Sequence, residues 1–453
     1  MKLSLFFMSL LHREKRTTNP ANPSFFTFLT FLTFLTFLTF LTFFSLLPSC
    51  LSLRPLTKKA SSKLYLYNPG NAILHPQYKI YHSSESESIV YIKFLSSEVV
   101  FNQANPQVIN QARLRVIYTL YGSLANNEIA ERDTQQFVIE KESVSDQIIA
   151  SVKLPTAPGK TYLLDITLED EIRQSMVRDR ILVDRGQPEN QQDWLVLNYP
   201  ENKVSFEQFF YPGESFRLIN QSIKSDRVYI SAFPPRNILP LPPFSLDEQP
   251  DNIPLPDSTF YVAYSEQLLY KLGGQGIYLF HFKPEPARGL CLTQFGDHYP
   301  NVTQPEDMLP PLQYITTREE YQKMTSIPDL KGVVDQFWLD KGKTFGNSRD
   351  LIRVYYNRVV FANLYFTSGK QGWKTDRGMI YMLLGPPTAV EKTETRESWI
   401  YETSETGEKI TFDFNLADDY WIGFDYKLRR KEEFRPIWNR AVDSWRRGKI
   451  FSL

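Results

Sequence analysis

Cysteine is almost absent from this 453-residue chain, which has only Cys50 and Cys291. Two cysteines cannot knit a disulfide framework. Cys291 sits in apolar, strand-like Gly289-Leu290-Cys291-Leu292-Thr293, a setting for an inert buried thiol rather than a nucleophile. His298 follows closely, but nothing nearby orients a third group, so a Cys/His dyad is not expected. Histidine is equally sparse, with five in all and none beyond His298. That excludes zinc chemistry and histidine-based triads from the C-terminal third, and no metal or cofactor is expected. Net charge is missing too. With 51 basic and 51 acidic residues, no global field draws the chain to nucleic acid, which is not expected as a partner. Finally, Gly273-Gly274-Gln275-Gly276 runs into strand-like Ile277–Phe282 with no helix to follow, so it reads as a hairpin turn rather than a phosphate cradle.

What is abundant lies first at the N-terminus, where 11 of the 33 phenylalanines fall in residues 1–50. Basic His12-Arg13-Glu14-Lys15-Arg16 precedes an uncharged run, Phe25 to Leu47, in which Phe-Leu-Thr recurs, ending at Leu47-Pro48-Ser49-Cys50. Residues 1–50 therefore read as a signal segment. Their tail resembles a bacterial lipobox, which implies a diacylglyceryl group on Cys50, cleavage ahead of it and a membrane attachment through that lipid. The alternative is an uncleaved anchor, since about 20 apolar residues span a bilayer. Either way the remainder is exported. Under the lipoprotein reading, Leu51 favours the outer membrane, and Leu51-Ser52-Leu53-Arg54, without an acidic cluster, favours its periplasmic face.

Length argues for about three domains. The expected fold class is multidomain, with two antiparallel β-sandwich domains, immunoglobulin- or fibronectin-like, followed by an α+β domain. The first spans 60–188, with strands at Leu64–Tyr67, Ser88–Phe94, Leu114–Tyr121, Gln136–Glu140, Gln147–Leu154, Thr161–Leu168 and Arg180–Asp184. The second spans 194–300, with strands at Trp194–Asn198, Ser215–Ile219, Arg227–Phe233, Thr259–Tyr264, Gln267–Leu272 and Gly276–Phe282. Inside it, 234–256 holds eight prolines and can neither complete a ladder nor continue a helix. It reads as a semi-rigid surface loop, either functional or a tolerated insertion.

From 310 to 450 the apolar spacing becomes helical. Thr316 or Thr317 caps a first helix, a second runs from Pro328 to about Lys341-Gly342, and a third covers about Ser348–Phe366 with Ile352, Tyr355, Tyr356, Val359, Ala362, Asn363 and Phe366 along one buried face. Then comes Gly372-Trp373-Lys374-Thr375-Asp376-Arg377-Gly378, with Arg358 to Asn363 before it and Gly385-Pro386-Pro387 and Trp399-Ile400-Tyr401 after it. This set of residues resembles the GWxTD domain, a family of bacterial exported proteins, over about 310–450. The resemblance departs at Phe337 to Gly342, where many relatives carry an Arg-Asp-Pro turn, and it implies no catalytic residue.

The residue chemistry suggests a helix-to-strand corner. Gly372 supplies a positive-φ turn, Trp373 buries its ring, Thr375 makes a side-chain turn, and Asp376 accepts from backbone or from Arg358 or Arg377. Gly378 releases a strand, Met379–Leu384, which Gly385-Pro386 stops. The competing account has Arg358, Asp376, Arg377 and Tyr381 lining a polar cleft for a glycan or peptide. A carboxylate-based hydrolase would need Glu397 or Glu402 beside Asp376. Further strands are expected at Ser398–Glu402, Lys409–Asn415 and Tyr420–Phe424, then a basic helix with Trp438, Val442 and Trp445 on its docked face. The favoured function is a non-catalytic accessory or scaffold module that docks an envelope protein partner.

Overall fold

The computed structural model describes residues 63–70, 73–102, 110–123, 126–141, 145–247, 255–285, 288–402, 407–417 and 425–453. The signal segment with Cys50 and the strand expected at Tyr420–Phe424 lie outside the described residues, as does 248–254 of the proline-rich loop. Among the described residues no helix is long and apolar enough to cross a membrane.

Alternating sequence gives alternating burial in the first β region. After β1 (Lys63–Leu64) come β2 (Gln77–His82), β3 (Glu87–Leu95), β4 (Gln111–Ser123), β5 (Glu128–Glu140), β6 (Gln147–Pro155), β7 (Thr161–Asp170) and β8 (Ser175–Asp184). Every second residue of β3 and of most of β4 is buried, the signature of strands with one face on a core. They form two antiparallel sheets, β2-β3-β6 and β5-β4-β7-β8, which share one core containing Val90, Ile92, Phe94, Val116, Leu120 and Ile166. Pro158-Gly159 turns the chain from β6 into β7, with Gly159 at φ +77°, a conformation glycine adopts without steric cost.

The second β region repeats the plan with β9 (Leu195–Tyr199), β10 (Ser215–Ile219), β11 (Arg227–Phe233), β12 (Ser258–Ala263), β13 (Gly276–His281) and β14 (Leu290–Gln294). A β10-β9 pair and a β12-β11-β13-β14 sheet enclose Trp194, Phe216, Val228, Phe280 and Leu292. Two expectations are corrected here. Gln267–Leu272 is not a strand; Tyr270 makes an isolated bridge to Phe216. Gly273–Gly276 is not a hairpin turn, because β12 and β13 flank β11 on opposite sides and the link must cross between them. Cys291 is fully buried in β14, and burial pushes its thiol up to about 12.

The C-terminal region is α+β. Helix α1 (Arg318–Thr325) starts from Thr317, whose side chain accepts from the Glu320 amide while Glu320 reaches back, a capping box. Then follow α2 (Leu330–Gly342), α3 (Phe345–Phe366), α4 (Asp376–Leu384), strands β15 (Ala389–Lys392), β16 (Arg396–Glu402), β17 (Lys409–Leu416) and β18 (Tyr426–Leu428), and α5 (Arg435–Arg446). Tyr355, Val359, Ala362 and Phe366 of α3 are buried as the spacing predicts. Trp438 and Trp445 of α5 are buried, and the Trp445 indole donates to Leu383 O at 3.1 Å.

Two larger corrections concern this region. The segment Met379–Leu384 is helix, not strand: Thr375 caps α4, and the helix is buried on every side, so its apolar run shows no period. The strand expected at Leu64–Tyr67 in the first β region is instead β1, which pairs with β15 at the edge of the C-terminal sheet β1-β15-β16-β17-β18. Tyr67 then lies against Phe366 and Trp399. Ser62–Leu453 form one unit, and one fastening between its regions is ionic: Lys392 Nζ sits 2.8 Å from Asp179 of β8, while Arg180 donates to Lys392 O at 3.2 Å.

Candidate functional site

The corner between α3 and α4 is built on close backbone approach. Gly372 does not have positive φ, contrary to expectation. A Cβ there would lie 2.0 Å from Ala362 O of α3, and a Cβ on Gly378 would lie 2.0 Å from Gly372 O. Only hydrogen fits at either position, so the two glycines let a short Gly372–Lys374 helical turn sit between α3 and α4. Asn363 clamps that turn: its Oδ1 accepts from Trp373 N at 3.2 Å and its Nδ2 donates to Pro300 O at 3.0 Å. Tyr299 receives the Gly372 amide at 3.3 Å, and Tyr314 donates to Trp373 O at 3.1 Å.

Trp373 is buried, edge-on to Tyr314, with its indole donating to Gln371 Oε1 at 2.8 Å. The Thr375 hydroxyl donates to Gly372 O at 2.7 Å and accepts from Gly378 N at 2.9 Å, tying the turn to the first turn of α4. Trp373 and Thr375 thus perform the tasks expected of them from sequence, though at a helix-to-helix corner rather than a helix-to-strand one.

The charged residues do not converge. Asp376, at the N-terminus of α4, accepts from the Leu428 amide at 2.8 Å and from Arg430 Nη2 at 2.6 Å. Its ion-pair partner is thus Arg430, not Arg358 or Arg377. Burial pushes the Asp376 carboxyl up, and Arg430 and the Leu428 amide pull it back. Arg358 sits at the other end of α4, donating to Met382 O and Leu383 O, each at 3.2 Å, and to Phe451 O at 2.8 Å, with its guanidinium over Trp445. It satisfies carbonyls at the negative end of the helix, and burial lowers its pKa to about 10. Gly385, at φ +86°, ends α4 beside that guanidinium, where a Cβ would stand 2.8 Å from Arg358 Nη2; half-buried Pro386 follows. Arg377 stacks over Tyr426 at 4.4 Å and pairs with buried Glu397 at 3.5 Å. Glu397 in turn accepts the Trp399 indole at 2.6 Å. The Tyr381 hydroxyl donates to Tyr67 O at 2.8 Å.

One neighbour was not anticipated. The segment 234–247, expected as a surface loop, lies on the C-terminal region beside the motif. Lys374 Nζ donates to Asn237 Oδ1 at 2.8 Å, Arg430 Nη2 to Leu241 O at 3.1 Å and the Lys431 amide to Pro243 O at 3.0 Å. Phe244 sits under the Arg435 guanidinium at 4.1 Å, and Leu239 and Phe244 pack on the C-terminal core. Arg430 therefore joins Asp376 to this strap. Arg430 lies in a run of four basic residues among five, Lys427 to Lys431, just ahead of the basic C-terminal helix, and that run was its one sequence signal.

Residues 276–447 match the family model described as GWxTD domain, a match that begins at β13, ahead of the helical region. No curated protein matches the chain. Solved structures with local similarity include a Bacteroides uniformis beta-glucuronidase (10% identity, 26% of this chain and 15% of that one, TM-score 0.17). Bacteroides uniformis beta-glucuronidase 2, covalently bound to cyclophellitol-6-carboxylate aziridine, has 11% identity over 25% and 15%, with TM-score 0.16. Red sea bream transglutaminase has 8% identity over 48% and 31%, with TM-score 0.17.

Proposed function

The chain carries a GWxTD domain, and from that premise we propose that it is a cell-envelope lipoprotein whose C-terminal domain docks a partner protein in a non-catalytic, accessory role. The observation that carries this reading is the occupation of the motif. Asn363, Gly372, Trp373, Thr375, Asp376, Arg377 and Gly378 are buried; Asn363 and Thr375 hold the corner, while Asp376 is bound by Arg430 and the Leu428 amide and Arg377 pairs with Glu397. A motif committed to shape supports a module that presents a surface. Asp376 and Glu397 are each tied to an arginine and to a further donor, which gives a carboxylate-based hydrolase little support. Of the ligand-binding alternatives, a peptide is favoured over a glycan, because a segment of the chain itself already lies on the domain beside Asp376.

In this reading the β regions are immunoglobulin- or fibronectin-like sandwiches serving as spacers. Three strands facing four, and the Tyr162 hydroxyl at the start of β7 accepting from the Ala157 amide at 3.0 Å, fit the tyrosine corner of such folds. The lipid on Cys50 would place the protein at the outer membrane, facing the periplasm. Cys50→Ser should release it from the membrane fraction or block its processing; unchanged fractionation and mobility would favour an uncleaved anchor. Docking is tested by cross-linking in cells and mapping the sites: adducts to one envelope protein concentrated on 310–450 support it, and adducts confined to the β regions would refute it.

A further inference from the structure

We propose that the groove beneath residues 234–247 is a recognition site for a proline-rich peptide, occupied in this chain by its own strap. This rests on reading the C-terminal domain as a docking module, and it names the chemistry of the partner. Asn237, Leu239, Leu241, Pro243 and Phe244 meet the domain along the strap, which closes in a turn where Ser245 N donates to Pro242 O at 3.0 Å. In each of the three hydrogen bonds at Asn237, Leu241 and Pro243 the domain donates and the strap accepts. Prolines 234, 235, 240, 242 and 243 have no amide hydrogen and can offer the groove only acceptors. Lys374, Arg430 and the Lys431 amide thus form a donor set matched to a segment in which five of fourteen residues are prolines without an amide hydrogen. Phe244 adds an aromatic anchor under Arg435. Restricted proline backbones lose little entropy on docking, so a short segment suffices. The partner is accordingly an envelope protein bearing an exposed proline-rich stretch with an apolar or aromatic residue at its end, which exchanges with the strap.

The probe is a labelled synthetic peptide of residues 234–247, and the receptor is the full chain with 238–244 replaced by glycine and serine. Saturable binding is expected to the strap-replaced chain and at least about tenfold weaker binding to the native chain, where the strap competes at high effective concentration. Peptides with Pro240, Pro242 and Pro243 changed to alanine, or with Phe244→Ala, should bind more weakly. A folded strap-replaced chain that does not bind, or equal affinity for the alanine peptides, overturns the proposal. If the replaced chain does not fold, trypsin cleavage after Arg236 in the native chain is read instead. Excess of the shorter peptide 237–247, which has no Lys or Arg for trypsin, should accelerate that cleavage, and an unchanged rate overturns the proposal. Should the peptide fail while in-cell adducts still concentrate on 310–450, this proposal falls and the docking reading stands.

Discussion

Gly378→Ala gives the sharpest test of the corner, because two effects of opposite sign act on it. Within a helix, alanine is more stable than glycine by about 0.5–1 kcal/mol. Gly346, the second residue of α3, has no atom within 4 Å of where its Cβ would stand, so Gly346→Ala should show that gain alone. Gly378 is the third residue of α4, and its Cβ would stand 2.0 Å from Gly372 O and 2.9 Å from Trp373 Cα. Those are backbone atoms and cannot rotate away. To restore ordinary contact, α4 must retreat by roughly an ångström or more, which stretches the Thr375 bridge between Gly372 O and Gly378 N. Overpacking costs about 1–3 kcal/mol and a weakened cap about 1. After subtracting the propensity gain, the net loss is about 1–3 kcal/mol. Urea denaturation of the two variants beside the native chain measures this. Gly346→Ala should raise the midpoint and Gly378→Ala lower it, and a rise for both would refute the steric account.

Trp373→Ala removes a buried ring packed on Tyr314 and should cost about 3–5 kcal/mol, visible as a lower melting temperature and faster proteolysis of the C-terminal domain. A second expectation concerns acid. His82 is buried, with Ser88 at one ring nitrogen and Asp184 O at the other, and burial lowers its pKa to about 4. The folded state therefore holds a neutral ring where the unfolded chain, titrating near 6.5, binds a proton. Stability is full above about pH 6.5 and falls as pH drops toward about 4, by up to about 3 kcal/mol. Comparing His82→Gln with the native chain between pH 7 and 4 isolates this contribution. Parallel stability curves would remove His82 as its cause.

Much of the fold could be read from pattern. Period-two burial marked β3 and β4, and the Thr317–Glu320 capping box marked α1, because each is local chemistry. Met379–Leu384 was misread because a short apolar run buried on every side carries no period. The cue that distinguished it was Thr375 followed by Asp376, a cap and a first-turn acid. What could not be read was long-range. Lys63 and Leu64 pair with β15, Asp376 pairs with Arg430, and Leu241 and Pro243 of the expected loop meet Arg430 and Lys431. Such partners are chosen by tertiary packing, and no spacing in the sequence encodes them.

The central claim, that the motif holds a shape while docking is done by the surface beside it, is tested most directly by the melting of Asp376→Asn. The substitution keeps the side chain's outline but removes the charge facing Arg430 in a largely buried pair. It should cost about 2–4 kcal/mol. The account predicts a clearly lowered melting temperature, with the remaining folded protein still cross-linked to its partner in cells. An unchanged melting temperature together with complete loss of that cross-link would contradict it, and would make Asp376 part of the site itself.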